Sequence, residues 1–268
     1  MSALVWGHRG AMDFAPQNTL PSFALAVEQG ADGVELDVQL TGDGVLVVFH
    51  DARVDRLTDG GGPLAALPWS TVKTLDAGSH FGPAWRNTRI PTFEDVLAAL
   101  PPGLFVNVEL KTALSESGWW SRWSTLVRGP RRLSVARIDT ARRDAAPLAA
   151  AAARLLAAAP ERFLVSSFDP LALEAFRREL PAVPLGFLHS PTEPWNTPAL
   201  MPSLPHEAWH PHHTQVTAPA VDREHAAGRR VHTWTVNNAE QAVRLARLGV
   251  DAIITNRPGE IKAALARI

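Results

Sequence analysis

The 268-residue sequence predicts an α/β fold built on parallel strands, as a (β/α)8 TIM barrel or as a doubly wound open sheet. Short apolar runs alternate with helix-period segments along the chain, the pattern of βα units. Roughly eight such runs fall in about 250 residues, the size and rhythm of a barrel. The helical segments carry start and stop residues where a short βα connection needs them. Periodicity alone leaves both architectures standing.

In chain order, strands are predicted over 4–7, 33–38, 105–110, 163–166, 185–188, 208–210, 231–236 and 252–255. Helices are predicted over 19–29, 92–100, 147–159, 170–180, 219–227, 239–247 and 258–266. Asn18, Thr92, Asp169 and Asn238 stand at capping positions, several helices open on proline, and Gly30, Gly228 and Gly249 close helices where a left-handed residue is wanted. Two segments break the rhythm. Thr41-Gly42-Asp43-Gly44 reads as a hairpin turn into an apolar run over 45–50, and residues 51–90 then form a long Gly- and Pro-rich stretch, the length of a functional loop or a small inserted subdomain. Residues 113–144 hold Trp119, Trp120 and Trp123 and seven arginines between Arg122 and Arg143, opposed only by Asp139. That segment reads as a solvated loop and helix, with an anion- or lipid-facing patch as the alternative.

Composition narrows the function classes. Apolar residues make up 46% and charged residues 20%, the balance of a globular protein with a sizeable core. There is no cysteine, so disulfides and thiolate metal sites are excluded and any metal sits on oxygen or imidazole. A net charge of −1 gives a nucleic-acid partner no global electrostatic support. No secretory signal precedes the first strand and no apolar run approaches the ~20 residues that span a bilayer, so a soluble cytoplasmic protein is expected. The oligomeric state is open.

Chemistry concentrates at the ends of the early strands. Side chains alternate along a strand, so Glu35 and Asp37 share one face while Val34, Leu36 and Val38 share the other. If helices cover the apolar face, both carboxylates point inward, where an uncompensated charge costs several kcal/mol, so they need a cation. An antiparallel sheet with a wet face would instead leave them solvated. Asn107-Val108-Glu109-Leu110-Lys111 repeats the alternation, and two strands with inward ionisable residues at their C-terminal ends match a barrel active site. Three hard carboxylates without thiolate suit Mg²⁺ or Ca²⁺, with Mn²⁺ possible. His8 ends the first strand and His50 the hairpin, where a pair of imidazoles can act as acid and base. Arg9 and Lys111 add fixed positive charge suited to phosphate. The set describes phosphoryl chemistry.

In order along the chain stand His8-Arg9-Gly10, Pro16-Gln17-Asn18-Thr19, Glu35-Leu36-Asp37, His50-Asp51, Leu75-Asp76-Ala77-Gly78, Pro91-Thr92-Phe93-Glu94-Asp95, Glu109-Leu110-Lys111, Ser166-Ser167-Phe168, Trp234-Thr235-Val236-Asn237 and Thr255-Asn256-Arg257-Pro258. This ordered set resembles the glycerophosphodiester phosphodiesterase family over nearly the whole chain except 114–144. The resemblance implies one TIM-barrel domain over 1–268 with an insertion at about 51–90, and metal-dependent hydrolysis of a small glycerophosphodiester to glycerol phosphate and an alcohol such as choline or ethanolamine. By matching positions it implies Glu35, Asp37 and Glu109 as metal ligands and His8 and His50 as the acid–base pair. Arg9 and Lys111 would hold phosphate, and Trp234 would line the pocket. Two positions depart from the family pattern: Gln17 replaces a usual Glu, and Asn256 stands where Asp is common. The competing readings are the same chemistry on a lysophospholipid, a metal-dependent barrel enzyme such as an aldolase, and a non-catalytic phosphate-binding module.

Overall fold

The structure is a computed structural model that describes residues 3–112, 135–190 and 205–268, with residues 135–144 described by their backbone alone. Nine strands form one sheet: β1 (Leu4–His8), β2 (Gly33–Leu40), β3 (Leu46–Val48), β4 (Phe105–Leu110), β5 (Phe163–Ser167), β6 (Leu185–His189), β7 (Ala208–Pro211), β8 (Arg230–Thr233) and β9 (Ala252–Thr255). All but β3 run parallel, and β1 pairs with both β2 and β9, which closes a (β/α)8 TIM barrel. The open sheet is thereby excluded.

Eight α-helices occur among the described residues: α1 (Leu20–Glu28), α2 (Trp69–Val72), α3 (Phe93–Ala99), α4 (Val135–Leu156), α5 (Pro170–Glu179), α6 (Ala218–Ala226), α7 (Ala239–Arg247) and α8 (Pro258–Leu265). Thr92, Asp169 and Asn238 cap their helices as the sequence suggests, Thr92 through a reciprocal box with Asp95. Asn18 does not. Thr19 takes the cap position of α1, while Asn18 adopts φ +58° and turns its amide elsewhere. Two further boundaries differ. Pro147 lies inside α4 rather than at its start, and β8 stops at Thr233, leaving Trp234 a single bridge to His212. The tryptophans of the 113–144 segment lie outside the described residues.

The core sits mainly between sheet and helices. Val34, Leu36 and Val38 are buried against Phe23 and Ala26 of α1 and Phe93 and Val96 of α3, each contributing about 1.5–3 kcal/mol of hydrophobic stabilisation. Val5, Val231 and Ile253 pack likewise under α6–α8. Residues with the opposite phase, such as Glu35, Asp37 and Glu109, face the barrel interior.

The hairpin partner β3 pairs with β2 beyond the point where β1 ends. Val38 faces Leu110 on one side and Val48 on the other, whereas the last β1 pairing is His8 with Glu35. The strand end carrying His50 is thus raised over the C-terminal mouth. A separate buried cluster that includes Val47, Phe49, Val54, Leu57, Leu64 and Ile90 anchors the segment following it.

Candidate active site

β2 brings Glu35 and Asp37 to the mouth, and the adjacent β4 brings Glu109, with Asp37 paired in register to Glu109. All three are buried, and one carboxylate oxygen from each lies within 4.8 Å of the others. Lys111, 6% exposed, stands past the end of β4 with Nζ 2.8 Å from Glu109 Oε1 and 3.8 Å from Asp37 Oδ1.

The turn after β1 wraps this cluster. Arg9 adopts φ +51°, which aims its amide N–H at Glu35 Oε2 (3.0 Å) while its Nε lies 3.1 Å from Asp37 Oδ2. Gly10 follows at φ +84°, where a Cβ would lie 2.5 Å from the Ser22 backbone carbon, so only glycine fits. Arg9 also donates to Gln17 Oε1 at 2.5 Å, so the glutamine uses its acceptor oxygen on the guanidinium. Asn18 donates from Nδ2 to Asp37 Oδ2 at 2.8 Å, and the Asp37 amide returns a bond to Asn18 Oδ1.

His8 Nε2 lies 4.0 Å from Glu35 Oε2, and its Nδ1 is 2.8 Å from Asn256 Oδ1. His50 Nδ1 is 2.7 Å from Asp51 Oδ1, and Asp51 is held by two bonds from Arg56 (2.8 and 3.0 Å). Gln39 Nε2 reaches the carbonyl oxygens of Phe49, His50 and Asp51 at 2.8–3.1 Å, pinning the backbone that presents His50. Trp234 donates from Nε1 to the His210 carbonyl oxygen and meets Phe168 edge-on at 5.4 Å, and the Phe168 ring lies 6.0 Å from Lys111 Nζ. That puts the indole on the rim, one aromatic ring removed from the carboxylates.

Electrostatics follow from crowding in a dry place. Burial, then the Asp37 and Glu109 carboxylates, push Glu35 well above its usual range. Burial raises Glu109 too, against the opposing pull of Lys111. Burial would also raise Asp37, but Arg9, His50, Lys111 and the Asn18 amide together hold it well below the ordinary value. Burial and Arg9 lower His8 to about 3, and burial lowers His50 as well. One carboxylate thus stays charged while a neighbour resists ionising, the split expected of acids crowded together in a buried site, and the three could hold a cation.

The sequence pattern names the three carboxylates, both histidines, Arg9 and Lys111, and the structure brings these together, with Trp234 at the rim. It does not reveal Asn18, Gln39, Arg56 or Asp13 as partners of that set. Asn18 and Asp51 fall within recognisable motifs, but nothing local marks Gln39, Arg56 or Asp13.

The model of the glycerophosphoryl diester phosphodiesterase family matches residues 8–260. A glycerophosphodiester phosphodiesterase of Caldanaerobacter subterraneus subsp. tengcongensis is 33% identical over 261 residues, covering 96% of each chain. The structure of a phosphodiesterase of Oleispira antarctica in complex with the product sn-glycerol-3-phosphate is similar at a TM-score of 0.80 and 29% identity, covering 99% of this chain and 97% of that one. A glycerophosphodiester phosphodiesterase of Agrobacterium tumefaciens is similar at a TM-score of 0.70 and 25% identity, covering 97% of this chain and 99% of that one.

Proposed function

The chain belongs to the glycerophosphoryl diester phosphodiesterase family, and from that membership we propose that it hydrolyses small glycerophosphodiesters to glycerol phosphate and an alcohol, using one divalent cation and two histidines. The observation that carries this reading is the meeting of Glu35, Asp37 and Glu109 within 4.8 Å at the mouth of a barrel flanked by His8 and His50.

The donor set fits a hard cation. Every donor is a carboxylate oxygen, Asp37 Oδ1 is buried without a hydrogen-bond partner, and the resistance of Glu35 to ionising is what a bound cation would relieve. Glu35, Asp37 and Glu109 would hold Mg²⁺, Ca²⁺ or Mn²⁺. Bound there, the ion would polarise a phosphoryl oxygen and offset the charge developing on the oxygens around phosphorus.

The protein's own groups do the rest. Arg9 and Lys111 hold the remaining phosphate oxygens while keeping the carboxylates oriented. Asp51, ionised and accepting only, takes the Nδ1–H of His50 and leaves its Nε2 for the substrate. One imidazole, entering neutral, removes the proton of the attacking water or glycerol hydroxyl, and the other, entering as the imidazolium, protonates the leaving alkoxide. Where the nucleophile is the glycerol hydroxyl, water then opens the resulting cyclic phosphate with the two roles exchanged. Trp234 and Phe168 form an apolar wall beside Lys111, on which the alcohol moiety rests. Residues 51–90 act as an insertion that supports the His50 side of the mouth.

The test uses protein stripped with a chelator and resupplied with Mg²⁺, Ca²⁺ or Mn²⁺, incubated with several glycerophosphodiesters and a lysophospholipid, with released glycerol phosphate and alcohol measured. Turnover restored by a divalent ion is expected, and no turnover under any ion would overturn the reading. His8→Ala and His50→Ala should each lower kcat by about 10²–10⁴ while leaving metal binding by calorimetry nearly unchanged. Near-normal kcat in both would remove the histidines from their role.

A further inference from the structure

Behind His8 runs a line of polar side chains that the chemistry above does not use. Asn256 Oδ1 is 2.8 Å from His8 Nδ1, Asn256 Nδ2 donates to Asp13 Oδ1 at 3.0 Å, and Asp13 Oδ2 accepts from Arg257 Nε at 2.5 Å. The Asn256 amide N–H is itself bonded to Asn237 Oδ1 at 2.9 Å, and the Asp13 amide N–H points at the Asn256 carbonyl oxygen at 3.4 Å. These residues come from the loops after β1, β8 and β9, which meet because β1 lies against β9.

The direction of each bond is set by chemistry. Asp13 paired to Arg257 is a carboxylate and can only accept, so the group facing it on Asn256 must be the NH₂. The carboxamide oxygen therefore faces His8. An amide oxygen can only accept, so the hydrogen of the neutral imidazole must sit on Nδ1, and Nε2 keeps its lone pair on the side of Glu35, 4.0 Å away. His50 has its Nδ1–H held by another route, through a carboxylate at Asp51 that Arg56 neutralises. One imidazole is thus oriented by a charged group and the other by a neutral one.

We propose that Asn256 is a positioning residue that fixes the Nδ1–H tautomer of His8, and that Asp13 makes asparagine, not aspartate, the residue this site requires. An aspartate at 256 would bring a carboxylate oxygen into the 3.0 Å contact with Asp13, where two like charges cannot both be accommodated. Asn256 and Asp13 act as one matched unit, with the negative charge displaced one residue away from His8. The inference rests on His8 serving as one of the proton-transfer pair.

Two measurements decide it. In the wild-type protein at neutral pH without metal, the His8 imidazole nitrogens, assigned by comparison with His8→Gln, should show a protonated Nδ1 and an unprotonated Nε2 by long-range ¹H–¹⁵N NMR. The opposite tautomer, or rapid exchange between both, would overturn the proposal, and this readout needs no turnover. In the divalent-loaded enzyme acting on glycerophosphocholine, Asn256→Leu and Asn256→Asp should each lower kcat about 10–100-fold with KM little changed. Adding Asp13→Asn to Asn256→Asp exchanges amide and carboxylate while keeping a donor opposite each acceptor, and should recover most of the lost kcat. A double variant as impaired as Asn256→Asp alone would overturn the matched unit. Wild-type protein inactive with every ion would instead sink the proposed function, and the NMR result would still decide the tautomer.

Discussion

A divalent cation bound at the three carboxylates would compete with Lys111 for the same oxygens. With Nζ 2.8 Å from Glu109 and 3.8 Å from Asp37, the ammonium partly does what the ion would do, in a position where its own burial is offset by those carboxylates. Lys111→Met should therefore strengthen metal binding to the substrate-free protein. It should also raise KM about 10–100-fold, the loss of a charge-assisted bond to phosphate of about 1.5–3 kcal/mol. Calorimetry and steady-state kinetics read the two effects separately, and weaker metal binding in the variant would contradict the competition. At this scale the sequence is legible where a rule is local. Alternation along one strand is enough to set Glu35 and Asp37 against Val34, Leu36 and Val38. Asn18 shows the limit: its residue type and place before a helix suit a cap, but Asp37 claims the amide across 19 positions. Asn256 is further still, meeting His8 across 248 positions, a separation no local pattern encodes. Its partner Asp13, which accepts from Asn256 Nδ2, is equally remote in the sequence.

The β2–β3 hairpin is the element on which His50 depends. Gln39 is the penultimate residue of β2, and its single carboxamide nitrogen holds three successive carbonyl oxygens of the segment that leaves β3. Gln39→Leu should lower kcat about tenfold with KM and metal affinity nearly unchanged, because it would loosen the imidazole proposed to move a proton and leave the carboxylates alone. An unchanged kcat would show that the Asp51–Arg56 pair suffices to place His50. Most strand positions were legible, since parallel strands covered by helices read as apolar runs. Ends were less so. Pro147 suggests a helix start because it lacks an N–H, yet α4 begins twelve positions earlier at Val135 and carries the proline in its interior. Trp234 and Val236 look like continuing strand by composition, but β7 offers β8 only two register positions, so the ladder runs out before them. The antiparallel β3 was foreshadowed by its Gly-rich turn, whereas its place beyond the end of β1 depends on the stagger of the barrel.

Across the whole molecule, the barrel interior carries buried polar groups well below the mouth, beside an apolar cluster of Trp6, Ala252 and Ile254. His210 and His232 lie there with Nε2 and Nδ1 2.9 Å apart, beside Trp6, and His210 fills the space that a side chain at Gly186 would need. Burial, then His206, lowers His210 to about 3; burial, His210 and Arg230 hold His232 well below its ordinary value. Above the ordinary imidazole value of 6.5 neither state holds the extra protons, so the pair leaves stability unaffected. Below it the unfolded chain takes up protons that the folded barrel refuses. Stability then falls with pH by up to about 1.4 kcal/mol per unit for each imidazole, until the folded groups titrate. Urea unfolding at pH 7 and pH 5 should show this loss, and His232→Asn should reduce it. Parallel pH dependence in variant and wild type would place the acid sensitivity elsewhere. Closure of the barrel carries a different consequence. The three carboxylates come from neighbouring strands within residues 33–111, but the tether on His8 arrives only when β1 finds β9. The candidate ligands of a cation thus sit within one contiguous third of the chain, whereas holding the first imidazole in line requires its two ends to meet.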